Sequence, residues 1–338
     1  MTQHRTSLYV GATALLVGMA VLGLLIGSTS QAFGQVLSAL FGQGESTLVF
    51  VVRQVRLPAV LLAAAVGAAH ALSGAAMQGI LRNPLADPYL LGVAGGAALA
   101  AAAVIGIWPD ARAMLPAVAF GGALAATAVV VSVARALPGG ARHRDATTTL
   151  LLSGVVLNAF AGALILVVHA WARPQQSQEV LLWLMGAIVP ARVHAPGAVL
   201  ALAVGCIAAL ALIRVAPALN LLALGESEAR TLGVEPARVR RTVLLANAAL
   251  VGAAVAFTGL IGFIGLLVPH IVRMVAGADH RHLLPLSALT GAAFLIAADA
   301  IARVSAGALG APLPVGAVTA IVGVPVFFWV LIRRLGVS

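Results

Sequence analysis

The sequence has no lysine; all twenty of its basic residues are arginine. That absence removes several chemistries at once. A phosphate-binding loop ending in Gly-Lys-Ser/Thr cannot be written in this chain, so ATP cannot be held in the P-loop manner. No lysine is present to form a Schiff base. A GC-rich coding sequence is a sufficient cause of the bias. Cysteine is nearly as scarce: Cys206 stands alone, so no intrachain disulfide forms. Its apolar surroundings predict a buried small hydrophobe. Charge is thin as well. Asp, Glu and Arg make up 9% of the chain, against roughly 25% in a soluble domain. The alternating ten-residue pattern of an outer-membrane barrel is also missing.

What the chain has instead is apolar surface. Apolar residues account for 62% of its 338 positions, too many for polar groups to cover, so lipid is the natural solvent. At about 20 residues per span there is room for about ten helices. The apolar runs place them at 8–27, 57–81, 91–107, 114–134, 148–168, 195–214, 241–262, 266–276, 283–303 and 316–333. The expected fold is an all-α polytopic membrane bundle, one transmembrane domain over 1–338. The first run follows His4 and Arg5 and lacks a small-residue cleavage site after Ile26, which predicts a first helix rather than a signal peptide. A net charge of +10 would suggest nucleic acid in a soluble protein. Here the arginines sit at the ends of apolar runs, where orientation explains them. With the N-terminus in the cytoplasm, fourteen arginines fall inside and six (Arg53, Arg56, Arg112, Arg173, Arg192, Arg303) outside, as the positive-inside rule prefers. An even number of spans puts both termini in the cytoplasm and the chain in a bacterial inner membrane.

The sequence repeats itself. Val66-Gly67-Ala68-Ala69 recurs as Val251-Gly252-Ala253-Ala254, and at the same offset Gly74 falls on Gly259, Pro84 on Pro269, Gly92 on Gly277 and Ser73 on Thr258. The copies begin in the second and seventh helices. An odd shift of spans inverts the second copy, and inverted repeats are typical of transporters. Small residues such as Gly67, Ala71 and Gly74 let helix backbones approach closely in lipid.

Three segments are polar, punctuated by Gly and Pro, or both: Arg56-Leu57-Pro58 with Gly74 to Pro88; Leu222 to Val234; and Gly262-Phe263-Ile264-Gly265-Leu266-Leu267-Val268-Pro269-His270. Within the second, Gly225 and Gly233 bracket a short stretch in which Ala229 and Leu232 share a helical face, predicting a short amphipathic helix ended by glycine. Ala298-Asp299, Leu313 to Thr319 and Gly323-Val324-Pro325-Val326-Phe327 complete the pattern. From about residue 50 to its end, the chain resembles the permeases of type II ABC importers, the FecCD/BtuC-like family that serves ferric siderophores, haem and cobalamin. The pattern looks most like the haem permeases.

The resemblance implies a permease that binds no cofactor of its own. Haem is the cargo, ATP and Mg belong to separate ATPase subunits, and a periplasmic binding protein delivers the cargo. Two permease copies and two ATPases form the complex; no nucleic acid is involved. It assigns 219–241 to ATPase coupling, with Gly225, Glu226, Ser227, Ala229, Arg230, Leu232 and Gly233 forming a coupling helix. It places Thr147 and Thr148 at the cytoplasmic gate, where capping of the fifth helix by Asp145 or a threonine is the alternative. It gives Arg53, Arg56 and Arg303 a docking role for the binding protein, where snorkelling to the interface is the alternative.

Polar residues inside apolar spans call for an explanation: His70, Gln78, Asn158, His169, Asn247, His270 and Asp299. Haem iron accepts histidine, so His70 and His169 are candidate cargo contacts, with hydrogen bonding inside the bundle as the alternative. Trp108, Trp171 and Trp183 read as interface anchors, and Leu181 to Ile188 as a short re-entrant helix. Two other classes remain. An ion-driven transporter would want acids within the membrane, where only Asp299 stands. A membrane enzyme would want a cluster such as Asp279, His280, Arg281 and His282, which reads as a solvated turn.

Overall fold

The computed structural model describes residues 2–27, 31–136, 143–194 and 198–335. Within these, the side chains of 2–4, 143–147, 193–194, 307–308, 330–331 and 333–335 lie outside the description. In lipid every backbone N–H and C=O must find a partner within its own segment, which leaves helices for uninterrupted apolar runs. The described residues are helical with no strand among them: α1 (Thr2–Leu25), α2 (Phe33–Leu40), α3 (Ser46–Phe50), a π-helical turn (Val51–Arg56), α4 (Leu57–Leu81), α5 (Val93–Gly106), α6 (Leu115–Ala136), α7 (His143–Trp171), α8 (Pro174–Leu184), α9 (Ala198–Leu224), α10 (Glu226–Thr231), α11 (Pro236–Thr258), α12 (Ile264–Ala276), α13 (His280–Leu309) and α14 (Val315–Leu335). Short 3-10 turns precede α5, α6 and α9. Among the described residues, seven helices are long and apolar enough to cross a membrane, and Val93–Gly106, Ile264–Ala276 and Val315–Trp329 are shorter apolar helices. Together they occupy the ten expected places.

The repeat is visible in the packing. Helix α4 lies along α13 as α11 lies along α6; α5 pairs with α6 as α12 pairs with α13; α4 meets α12 as α11 meets α5; and α4 and α11 pack on each other. The glycines that match in sequence sit at matching crossings. A Cβ on Gly67 would run into the backbone of Gly291 on α13, and one on Gly252 would press on Ala123 and Phe120 of α6. Beyond Gly74 and Gly259 the copies part. Helix α4 runs on to Leu81, while α11 stops at Thr258 and α12 begins five residues past Gly259. Pro84 therefore lies in a loop and Pro269 inside α12, so the sequence register does not continue to Gly92 and Gly277.

Several boundaries differ from expectation. The second span reaches back to Ser46. Pro58 cannot donate to the carbonyl four residues earlier and crowds it; the chain widens into the π turn 51–56 and continues as one rod. Helix α9 continues ten residues past Arg214, about 15 Å of rise, so only 225–235 of the 219–241 segment is a connection. Where Leu181 to Ile188 was expected to form a short helix, α8 runs instead over Pro174–Leu184. Cys206 is exposed, not buried, because α9 turns most of its apolar surface outward. Trp108 and Trp171 are exposed, whereas Trp183 is buried and so is not at an interface with lipid headgroups.

Candidate coupling, docking and gate sites

Helix α10 is a single six-residue piece between α9 and α11. Gly233 stops it with a left-handed backbone (φ +83). The Val234 amide returns to the Ala229 carbonyl at 2.9 Å and the Gly233 amide to that of Arg230 at 3.0 Å, the glycine-terminated pattern that satisfies orphan carbonyls at a helix end. At the other end Glu228 folds back over Gly225, where a Cβ would meet its carboxylate. Its own amide and the Ser227 hydroxyl (2.8 Å), with Arg82 nearby, hold the Glu228 carboxyl below its ordinary value.

Ala229 is fully buried against the bundle, whereas Leu232 is 59% exposed and caps the helix from outside. The two do not share a face, as helical spacing suggested, because the last turn unwinds at Leu232. Ser227, Glu228, Arg230, Thr231, Leu232 and Gly233 all face outward, with Leu224 beside them at 68% exposure. Glu226 turns inward and pairs with Arg240 of α11 at 2.6 Å; its pair with the exposed Arg230 is longer, 3.7 Å, and contributes little. The result is a small apolar and charged knob held at two glycines.

The same end of the bundle carries the cluster that read as a solvated turn. Asp279 accepts the Arg281 amide (3.0 Å) as N-cap of α13 and the Asn220 side chain (2.6 Å) from α9. Arg5 of α1 lies 3.9 Å from Asp279 and 2.7 Å from Nε2 of His282. Partial burial pushes the Asp279 carboxyl up, but Asn220, the Arg281 amide, His282 and Arg5 together hold it below its ordinary value. The cluster is a clasp joining α1, α9 and α13.

At the opposite end, Arg53 is exposed on the π turn. Arg56 is buried, and its guanidinium donates to the Leu24 and Leu25 carbonyls (2.7 and 2.9 Å) that end α1. Arg303 pairs with the buried Asp299 one turn away at 3.0 Å. Thr148 is exposed near the start of α7. That helix begins at His143, so the threonines lie within it rather than capping it. The side chains of Thr147 and Asp145 lie outside the described residues.

Four of the intramembrane polar residues, His70, Gln78, Asn158 and Asn247, gather in a knot where the two repeats meet. Nδ1 of His70 faces the Val66 carbonyl at 2.9 Å and must donate to it, which leaves Nε2 of the neutral ring to accept from the Tyr89 hydroxyl at 3.0 Å. Tyr89 in turn accepts the Ile261 amide at 3.0 Å. Asn247 accepts from Ser73 and donates to the Pro88 carbonyl (3.1 Å). Asn158 bridges the Gly95 amide and the Tyr89 carbonyl, and Gln78 donates to the Leu266 carbonyl at 3.2 Å. His169, away from this knot, bonds Ser177 of α8 at 2.6 Å, and His270 is buried. Tyr89 carried no signal in the sequence beyond lying next to Asp87-Pro88.

The FecCD transport family matches residues 15–333. The chain is 42% identical over 296 residues to the cobalamin import system permease protein BtuC of Halobacterium salinarum, covering 87% of this chain and 76% of that one. It is 42% identical over 290 residues to the hemin transport system permease protein HmuU of Yersinia pestis, covering 83% and 82%. A solved chain of a metal-chelate type ABC transporter in an inward-facing conformation superposes with a TM-score of 0.83 at 31% identity, over 97% of this chain and 99% of that one. The chain belongs to the FecCD transport family and is the membrane-spanning permease of a type II ABC importer.

Proposed function

We propose that this permease moves haem across the bacterial inner membrane as a homodimer, receiving it from a periplasmic binding protein and driven by two ATPase subunits on the cytoplasmic side. The observation that carries the importer mechanism is α10 with its ends: a short helix with Leu232 exposed where it stops and Leu224 exposed at the end of α9, on a chain with no lysine and hence no P-loop of its own. Leu232 is an exposed leucine in the connection beyond the lipid-facing spans and calls for a partner surface. The α10 end is then cytoplasmic, and the arginine distribution supports that orientation. Residues 225–233 dock in the ATPase, Arg53 and Arg303 meet the binding protein, Arg56 fixes the platform behind them, and Thr147 and Thr148 line the inner gate. His70 and His169, both hydrogen-bonded within the bundle, serve as passing contacts at most.

Haem rests on the hemin permease relative. Cobalamin is the second reading, favoured by a relative of equal identity. The test is ATP hydrolysis by the reconstituted complex in the presence of its binding protein loaded in turn with haem, cobalamin or a ferric siderophore. Haem alone should stimulate hydrolysis. Stimulation by cobalamin or the siderophore instead discards haem and leaves the importer intact.

A further inference from the structure

The coupling segment is tied to both repeats, one arginine from each. Helix α4, the central helix of the first copy, ends at Arg82, a non-glycine residue in the left-handed region (φ 48, ψ 34). That conformation is costly for a residue with a Cβ. The strained backbone aims the side chain sideways, and Nη2 donates to the Leu222 carbonyl at 2.5 Å. Leu222 lies in the last turn of α9, three residues before Gly225, where carbonyls have no partner within the helix and a cation is favoured. On the other side of α10, Arg240 of α11, the central helix of the second copy, holds Glu226 at 2.6 Å. The inner half of α4 is buried without a break from His70 to Leu81. Gln78, one turn above Arg82, reaches the Leu266 carbonyl at the start of α12. A displacement of the knob therefore has two polar routes into the bundle and a continuous packed path beyond the first.

We infer that Arg82 is a positioning residue for transport: through its bond to the Leu222 carbonyl it carries movement of the 225–233 knob into α4. This rests on the importer reading. Its own content is that Arg82 serves transmission, not assembly. The bond is charge-assisted and part-buried, and although Arg82 itself is exposed near Glu228 it lies at the end of α4 rather than on the knob, so removing it should leave the ATPase bound and weaken the link between hydrolysis and transport.

The experiment compares wild type, Arg82→Ala and Arg82→Lys as complete complexes with ATPase and binding protein in proteoliposomes, reading co-purified ATPase, phosphate release and cargo uptake. Arg82→Ala should retain its ATPase and hydrolyse ATP, with uptake per ATP reduced about tenfold, as loss of one charged hydrogen bond implies. Arg82→Lys, which keeps a cationic donor, should recover most of that ratio. An unchanged ratio in Arg82→Ala overturns the inference, as does loss of the ATPase from that variant, which would make Arg82 part of the docking surface. Should Arg82→Ala fail to reach the membrane, Arg82→Gln carries the same comparison. A wild-type complex without ATP-dependent uptake would instead refute the importer reading on which the inference stands.

Discussion

Tyr89 and Ile261 hold the two repeats together: the Ile261 amide donates to the phenol oxygen at 3.0 Å, and that oxygen lies 3.1 Å from the Ile261 carbonyl. Tyr89 sits before α5 of the first copy and Ile261 in the break before α12 of the second. Two irregular stretches thus satisfy each other's backbone groups. Tyr89→Phe leaves the Ile261 amide unpaired beside a fully buried side chain and should cost about 1–3 kcal/mol. Thermal unfolding of the purified chain in detergent should shift down by several degrees; an unchanged transition would show that the knot adds no stability.

Gly74 of α4 faces the backbone of Gly265 in α12, with no space for a Cβ between them. Gly74→Val should force α4 and α12 apart and sharply reduce the amount of folded protein recovered from membranes. Gly205→Val on α9, where a Cβ meets nothing within 4 Å, should be recovered normally. Monodispersity by size exclusion separates the two outcomes.

Asp279 should stabilise the fold in a pH-dependent way. Its carboxyl is held below the ordinary 3.8. The contribution is therefore fully present above that value and is lost as pH falls through the lowered folded pKa. Asp279→Ala removes the N-cap of α13 and the bond to Asn220, a loss of about 1–2 kcal/mol at neutral pH. Unfolding midpoints of the two proteins should begin to approach each other as pH falls past about 3.8 and converge only below the lowered folded pKa. A gap that persists there would place the effect in packing rather than charge.

Leu232 tests the knob without touching the bundle. It is exposed and lies outside the helix core, so Leu232→Asp should leave the unfolding midpoint within about 0.5 kcal/mol of wild type while the ATPase fails to co-purify. Retention of the ATPase by Leu232→Asp would remove that side chain from the docking surface.

The spans were legible in the sequence because each is an apolar run long enough to force a helix, and the coupling piece because two glycines bracket it. What escaped was set by tertiary packing. Helices α2 and α3 are short, eight and five residues, and gain their place by resting Val36 and Ala39 on the end of α1 and on Val52. Arg56 reads as an outward charge until the orphan carbonyls of Leu24 and Leu25 are brought beside it. Ser73 and Asn247 are 174 residues apart, and nothing local marks them as partners. Ala229 and Leu232 have helical spacing, but the helix ends between them.

ATP-driven uptake by the reconstituted complex tests the central claim most directly. Proteoliposomes holding this permease and its ATPase, given haem-loaded binding protein, should accumulate cargo only when ATP is supplied, and deletion of residues 225–233 should abolish both uptake and ATPase association. Accumulation that follows an ion gradient and persists without ATP, or that survives the deletion, would contradict the account.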